Sequence, residues 1–164
     1  MRPLQDKIKD QQTLKEIVKK LQREGKRVVF TNGCFDILHR GHVIYLEQAR
    51  ARGDILIVGV NTDTSVSAIK GPARPVVPEK ARMTVIAALE SVDYVVPFAE
   101  PDPYRLIACL KPQILVKGGD WNTTDIVGRD LVKETVVIPF VKGSSTSEII
   151  EVIIQRYAAQ TDSH

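Results

Sequence analysis

The sequence predicts an α/β protein: a single domain with a doubly wound parallel sheet. Two observations carry that prediction. Short, almost uninterrupted apolar runs recur along the chain, at Val28-Val29-Phe30, Ile55-Leu56-Ile57-Val58-Gly59-Val60 and Ile114-Leu115-Val116, as strands covered on both faces require. Between them stand stretches with apolar residues at helical spacing, so strand and helix alternate as crossover connections demand. A length of 164 residues suits one domain with a full core, and 43% hydrophobic with 26% charged residues is ordinary for a globular chain.

Taken in order, residues 4–24 read as one amphipathic helix. Leu14, Ile17, Val18 and Leu21 mark its apolar face, Lys15, Glu16, Lys19 and Lys20 its wet one, and Gly25 ends it. This segment, 1–25, is expected to pack on a domain spanning 26–157. The first strand leads through a turn into a helix from Val43 to Arg52, with Tyr45, Leu46 and Ala49 on one face. After Ile55–Val60, Asn61-Thr62-Asp63 caps a helix over 64–69. Three prolines and a glycine make Lys70–Pro78 a loop that carries two cations, Lys70 and Arg74. Glu79–Glu90 is helical, residues 94–96 form a strand, and Pro103–Leu110 is a short helix stopped by Lys111-Pro112. The charge-rich stretch Val127–Glu134 is irregular or a short helix, a candidate mobile segment near the site, and Thr135–Phe140 is the last strand. The final helix should bury Ile149, Ile150 and Ile153, and the polar tail 158–164 should fray.

The stretch between the first strand and its helix runs Thr31-Asn32-Gly33-Cys34-Phe35-Asp36-Ile37-Leu38-His39-Arg40-Gly41-His42. A strand-to-helix turn aims backbone N–H groups and the positive end of a helix at one point, which suits a phosphate. His42 falls in the first helical turn, His39 just before it, and Gly41 between them lets the backbone approach a ligand. Apart from His164 these are the only histidines in the chain. Phe35 reads as a packing residue beneath the ligand, Cys34 as a small buried filler, and Asp36 either as a cap of the turn or as a ligand-ordering group.

Two further segments reach the same sheet edge, where open α/β sheets bind ligands. Lys117-Gly118-Gly119-Asp120-Trp121 leaves the fourth strand; Lys117 can reach an anion, and Asp120 can orient a ribose, a metal-bound water or its own loop. Trp121 can line a pocket or act as a lid. Gly143-Ser144-Ser145-Thr146-Ser147 opens the last helix, where hydroxyls before Glu148 serve as a cap and equally as an anion cradle.

A net charge of +3 is too mild to indicate nucleic acid. Cys34 and Cys109 give neither a disulfide framework nor metal-ligand spacing, and they fit a reducing, cytoplasmic setting. No apolar run approaches the ~20 residues that span a bilayer, and Met1-Arg2-Pro3 lacks the apolar core of a signal peptide.

His39-Arg40-Gly41-His42, preceded by Gly33-Cys34-Phe35-Asp36, resembles the HxGH signature of the nucleotidyltransferase superfamily, and the resemblance extends from about Lys26 to Ile154. It implies a Rossmann-like fold. It also implies that His39 and His42 act catalytically on a nucleoside triphosphate, assisted by Lys70. Thr31, Asn32, Gly33, Cys34, Phe35, Gly41, Lys117, Gly118, Asp120, Ser145, Thr146 and Ser147 would bind the nucleotide. Asp36, Lys70, Arg74 and Trp121 would face the second substrate. Within the superfamily the chain is most similar to the adenylyltransferases that form ADP-heptose for lipopolysaccharide. This resemblance implies ATP and a heptose 1-phosphate as substrates, Mg²⁺ held by phosphates and no protein metal cage. It also implies a homodimer, and a stand-alone form without the sugar kinase to which such domains are often fused. Two positions depart from the related cytidylyltransferases: Glu90-Ser91 replaces an arginine, and Phe140-Val141-Lys142 stands where another arginine precedes the last motif. The second departure argues against glycerol phosphate as acceptor. A pantetheine-phosphate acceptor and a nucleotide-binding regulatory module without turnover are the remaining alternatives.

Overall fold

The computed structural model describes residues 2–141, 143 and 145–161; Lys142, Ser144 and His164 lie outside the described residues. Five strands form one parallel sheet: β1 (Val28–Gly33), β2 (Ile55–Asn61), β3 (Tyr94–Phe98), β4 (Ile114–Gly118) and β5 (Glu134–Ile138). Their spatial order is β3-β2-β1-β4-β5. The chain winds outward from β1 to β3, then returns to build the other half beside β1. The two halves part between β1 and β4, and in open parallel sheets the carboxyl ends of the strands at such a switch point are where ligands bind.

Alternation along each strand divides the core in two. Val28 and Phe30 of β1 pack with Leu14 and Val18 of α2 (Gln11–Arg23) and with Leu106 and Ile107 of α6 (Tyr104–Leu110). Val29 packs with Leu46 and Ala49 of α3 (Arg40–Arg50) and with Ile86 and Ala87 of α5 (Glu79–Ala88). In β2, Leu56, Val58 and Val60 join the second cluster and Ile57 the first. Two-sided burial is why these strands read as unbroken apolar runs.

Three expectations need correction. The N-terminal helix is broken: α1 (Leu4–Lys7) stops before Ile8, which pairs in parallel with Val95 along the outer edge of β3, and the Lys9 N–H donates to the Val95 carbonyl at 2.9 Å. α2 then starts afresh at Asp10, whose carboxylate accepts the Thr13 N–H at 2.8 Å. Pairing with the exposed edge of β3 takes precedence over continuing the helix. Lys70 is the last residue of α4 (Asp63–Lys70), not the first of a loop. Finally, α7 (Thr146–Thr161) continues through positions expected to fray, and Ile153, expected on its buried face, is 47% exposed beside exposed Ile154 and Tyr157. Of the three isoleucines expected there, Ile149 and Ile150 are half-buried, and residues 151–158 are exposed because the helix runs clear of the core after its first turns.

Candidate active site

The centre of the site is the turn from Gly33 to Arg40. His39 is the residue on which α3 starts, and His42 lies in its first turn, where its N–H donates to the His39 carbonyl at 2.9 Å. The two imidazoles stack with centroids 3.8 Å apart and planes inclined by 24°. The Nδ1 atom of each is buried without a hydrogen-bond partner. Burial, with the His39 ring adding to it, pushes His42 down to about 4; burial also lowers His39, against the pull of Glu148. Burial thus favours the neutral form of both rings. Two unpartnered imidazole nitrogens lie at the positive end of a helix, where an anion would favour the protonated rings.

Phe35 holds this geometry. Its φ of 47° lies in the left-handed region, unusual for a bulky residue and tolerated where the surroundings enforce it. The Phe35 ring meets His42 edge-on, centroids 5.2 Å apart. A Cβ at position 33 would come within 3.0 Å of that ring, so Gly33 leaves room for it.

Asp36 follows the first of its two readings, a structural role in the turn, and Arg74 is engaged with it. Asp36 is 3% exposed and accepts from the N–H groups of Val76 at 2.9 Å and Val77 at 2.8 Å and from Arg74 Nε at 2.5 Å. Burial pushes its carboxyl up, but those two N–H groups and the Arg74 guanidinium outweigh it and hold it below the usual carboxylate range. Asp36 thus fastens the loop after α4 to the turn, and the Arg74 side chain is turned onto it. Behind them lies Arg82, 1% exposed. It donates from Nη1 to the Cys34 carbonyl at 2.5 Å, from Nη2 to Asp63 Oδ1 at 2.8 Å and from Nε to the Val77 carbonyl at 2.9 Å.

Across the switch point, Lys117 Nζ donates to Asn32 Oδ1 at 3.3 Å, and burial pushes the ammonium down. Thr31 Oγ1 and Tyr45 Oη share a hydrogen bond of 2.6 Å, and Tyr45 Oη also donates to the Val116 carbonyl at 3.3 Å. Tyr45 thereby staples β1 to β4 at the switch point, and burial pushes its hydroxyl up to about 12. The start of α7 closes one side: Thr146 Oγ1 donates to the Ile37 carbonyl at 3.3 Å, while Ser145 Oγ accepts the Glu148 N–H at 3.1 Å as a helix cap. Ser147 is exposed. For the half-buried Cys34, burial pushes the thiol up, and Lys70 exerts the largest of three cationic pulls the other way, ahead of Arg82 and Arg74.

The loop after β4 forms a rim. Gly119 has φ +116°, and a Cβ there would lie 2.8 Å from the Phe140 ring, so that ring lies close over the backbone. Trp121 is half exposed and donates from Nε1 to the Gly118 carbonyl at 3.1 Å. Asp120 is exposed. The structure therefore gathers Thr31, Asn32, Gly33, Cys34, Phe35, His39, Gly41, His42, Lys117 and Thr146 at one sheet edge. Lys70 lies at its side, Gly118, Asp120 and Trp121 at its rim, and Asp36 and Arg74 behind it. Sequence reasoning missed Tyr45 and Arg82 as builders of the site. Arg82 left a trace: it stands four residues before Ile86 on the buried stripe of α5, where a charge needs a reason.

Among the described residues, no group of three or more His, Cys, Asp or Glu side chains is placed to hold a metal ion. A depression of about 390 Å³ at the opposite sheet edge, lined by Gln22, Lys111, Gln113 and Lys133 among others, contains none of the motif residues. The candidate site is thus marked by its chemistry and not by its depth.

A phosphate-seeking turn at the switch point of a parallel sheet defines a nucleotide-binding α/β domain. A cytidylyltransferase-like family model matches residues 30–152, and the chain belongs to that family as a nucleotidyltransferase domain. It is 54% identical over 91% of its length to the bifunctional protein HldE of a Nitratiruptor species. It is 52% identical over 92% of its length to the HldE of Trichlorobacter lovleyi. It spans about a third of those relatives' length (32% of each). A lipopolysaccharide core biosynthesis protein from Thermoplasma volcanium superposes with a TM-score of 0.61 at 27% identity, over 73% of this chain and 100% of that one. A pantoate-β-alanine ligase from Francisella tularensis, at 17% identity and TM-score 0.55 over 80% of this chain and 66% of that one, shares the fold.

Proposed function

We propose that this domain transfers AMP from ATP to a sugar 1-phosphate, specifically heptose 1-phosphate, forming ADP-heptose for lipopolysaccharide core synthesis. The observation that carries the reading is the stacked His39–His42 pair with both buried Nδ1 atoms unpartnered at the start of α3. An oxygen of the sugar phosphate attacks the α-phosphorus of ATP, the bond to the bridging oxygen breaks, and pyrophosphate leaves. No protein nucleophile is needed, since the acceptor is already one, so catalysis is positioning and charge stabilisation. His39 and His42 take protons as the triphosphate arrives and donate hydrogen bonds to it. Lys117, held by Asn32, neutralises phosphate charge from the β4 side, and Lys70 does so from the end of α4. Thr146 and the cap of α7 add donors to the β- and γ-phosphates.

Mg²⁺ supplies charge neutralisation when it arrives with ATP. The nitrogen-rich turn fits a metal carried on phosphates, since Asp36 and Asp63 are already engaged by Arg74 and Arg82. Resemblance supports a homodimer, and two free cysteines support a reducing cytoplasm.

The test is pyrophosphate release with Mg²⁺, each of ATP and CTP, and a panel of phosphorylated acceptors. Release with ATP plus heptose 1-phosphate is expected. Release only with CTP or only with glycerol phosphate overturns the substrate assignment, and silence across the panel despite ATP binding overturns the enzyme reading.

A further inference from the structure

The two least exposed charged residues around the site, Asp36 and Arg82, make no contact that the transfer reaction calls for. Each joins the phosphate turn to the segment after α4. Asp36 sits in the turn and takes three hydrogen bonds from Arg74, Val76 and Val77. Arg82 sits in α5 and reaches the turn at the Cys34 carbonyl, the segment at the Val77 carbonyl and the start of α4 at Asp63. The segment is tied on its own side too: Ser67 Oγ donates to the Arg74 carbonyl at 2.6 Å, and the Arg74 N–H donates to the Gly71 carbonyl at 3.1 Å. Asp63 and Lys70 are the first and last residues of α4, so both ends of that helix are held relative to the turn. Lys70 itself is exposed, and among the described residues its ammonium has no hydrogen bond or ion pair.

We propose that Asp36 and Arg82 are positioning residues that lock α4 and the 71–77 segment to the histidine turn. Lys70 then presents its charge to the same phosphates that His39 and His42 bind. The proposal rests on the triphosphate reading given above. A buried guanidinium and a buried carboxylate are costly to maintain, and here they fix the relative position of two loops that carry the reacting charges. Displacement of a positioned group by ~1 Å costs on the order of 10²-fold in rate. The lock therefore decides whether Lys70 works as part of the site or only as a solvated cation.

The test is a double-mutant cycle of Asp36→Asn with Lys70→Ala, read in the MgATP dissociation constant by calorimetry and in the turnover number. Asp36→Asn is expected to lower turnover by roughly 10–100-fold and to weaken MgATP binding no more than Lys70→Ala does. In the Lys70→Ala background it should change neither quantity further, because two residues acting through one contact are not additive. Arg82→Lys, which keeps the buried charge but cannot reach all three acceptors, should behave like Asp36→Asn and serves if the latter does not fold. Losses that multiply in the double variant, or an Asp36→Asn protein that binds and turns over like wild type, would overturn the proposal. The binding arm separates the two ideas. A non-additive binding cycle in a protein that releases no pyrophosphate sinks the assigned reaction and leaves the lock. An additive cycle in an active enzyme sinks the lock alone.

Discussion

The histidine turn and the rim after β4 and β5 share one edge of the sheet yet are built in opposite ways. The turn is over-determined: Asp36, Arg82, the Phe35 ring and the Thr31–Tyr45 hydrogen bond fix it from four directions, and the two Nδ1 atoms of His39 and His42 are left without a partner. The rim is sparsely tied. Trp121 has one hydrogen bond to the Gly118 carbonyl, Phe140 is 73% exposed, and Asp120 stands in solvent. A rigid part that handles phosphates suits a reaction common to many substrates, and a rim of exposed rings suits the choice among them. The contrast predicts that changes in the turn reduce the rate, while changes at the rim alter affinity.

The sharpest way to break the contrast is His42→Ala. Turnover should fall on the order of 10²–10³-fold with the fold intact, because donors to the developing charge are lost; steady-state kinetics beside a circular dichroism spectrum checks it. Next comes Asp63→Ala, which strips the buried Arg82 of its carboxylate. Denaturant unfolding should show a loss of about 1–3 kcal/mol, since the guanidinium keeps its carbonyl partners but not its counter-charge. Gly119→Ala pits a Cβ against the Phe140 ring at a φ of +116°. It should cost about 1–3 kcal/mol of stability and raise the KM for ATP, with turnover changed less than in His42→Ala. Trp121→Ala should be milder still: less than roughly tenfold in kcat/KM, about the worth of one stacking contact, and expressed in KM. A loss expressed in kcat would put Trp121 in the chemical step and dissolve the distinction.

A separate test of the turn is in pH. His42 has its folded value pushed down to about 4 from 6.5, so between those values the unfolded chain binds more protons than the native one. Stability of the nucleotide-free protein is therefore full above about 6.5 and is lost as pH falls toward 4. Thermal melts across that range should show the decline, and His42→Gln should flatten it. Bound triphosphate opposes the shift by favouring the imidazolium, so ATP should flatten it as well.

Much of the turn was legible beforehand, because its chemistry is local in the chain: two histidines, a glycine and a strand-to-helix boundary within a dozen residues. The parallel sheet was legible for a similar reason, since two-sided burial writes itself as unbroken apolar runs such as Ile55–Val60. What escaped depends on contacts distant in sequence. Asp36 meets Val76 and Val77 forty residues on, Arg82 reaches back to Cys34, and Tyr45 joins β1 to β4. The break between α1 and α2 escaped because the amphipathic pattern runs on through Ile8, and only the unfilled edge of β3 pulls that residue out of the helix. The rim was the least readable part. Phe140 reads in the sequence as the end of the last strand and as a stand-in for an arginine, because exposure of a ring is a property of the folded surface and has no pattern in the chain.

The central claim is that the His39–His42 pair exists to stabilise phosphate charge during nucleotidyl transfer. It is tested most directly by Mg²⁺-dependent pyrophosphate release from ATP and heptose 1-phosphate, measured side by side for wild type and His42→Ala. The account predicts rapid release by wild type and a loss on the order of 10²–10³-fold in the variant. Equal rates in the two proteins would contradict it.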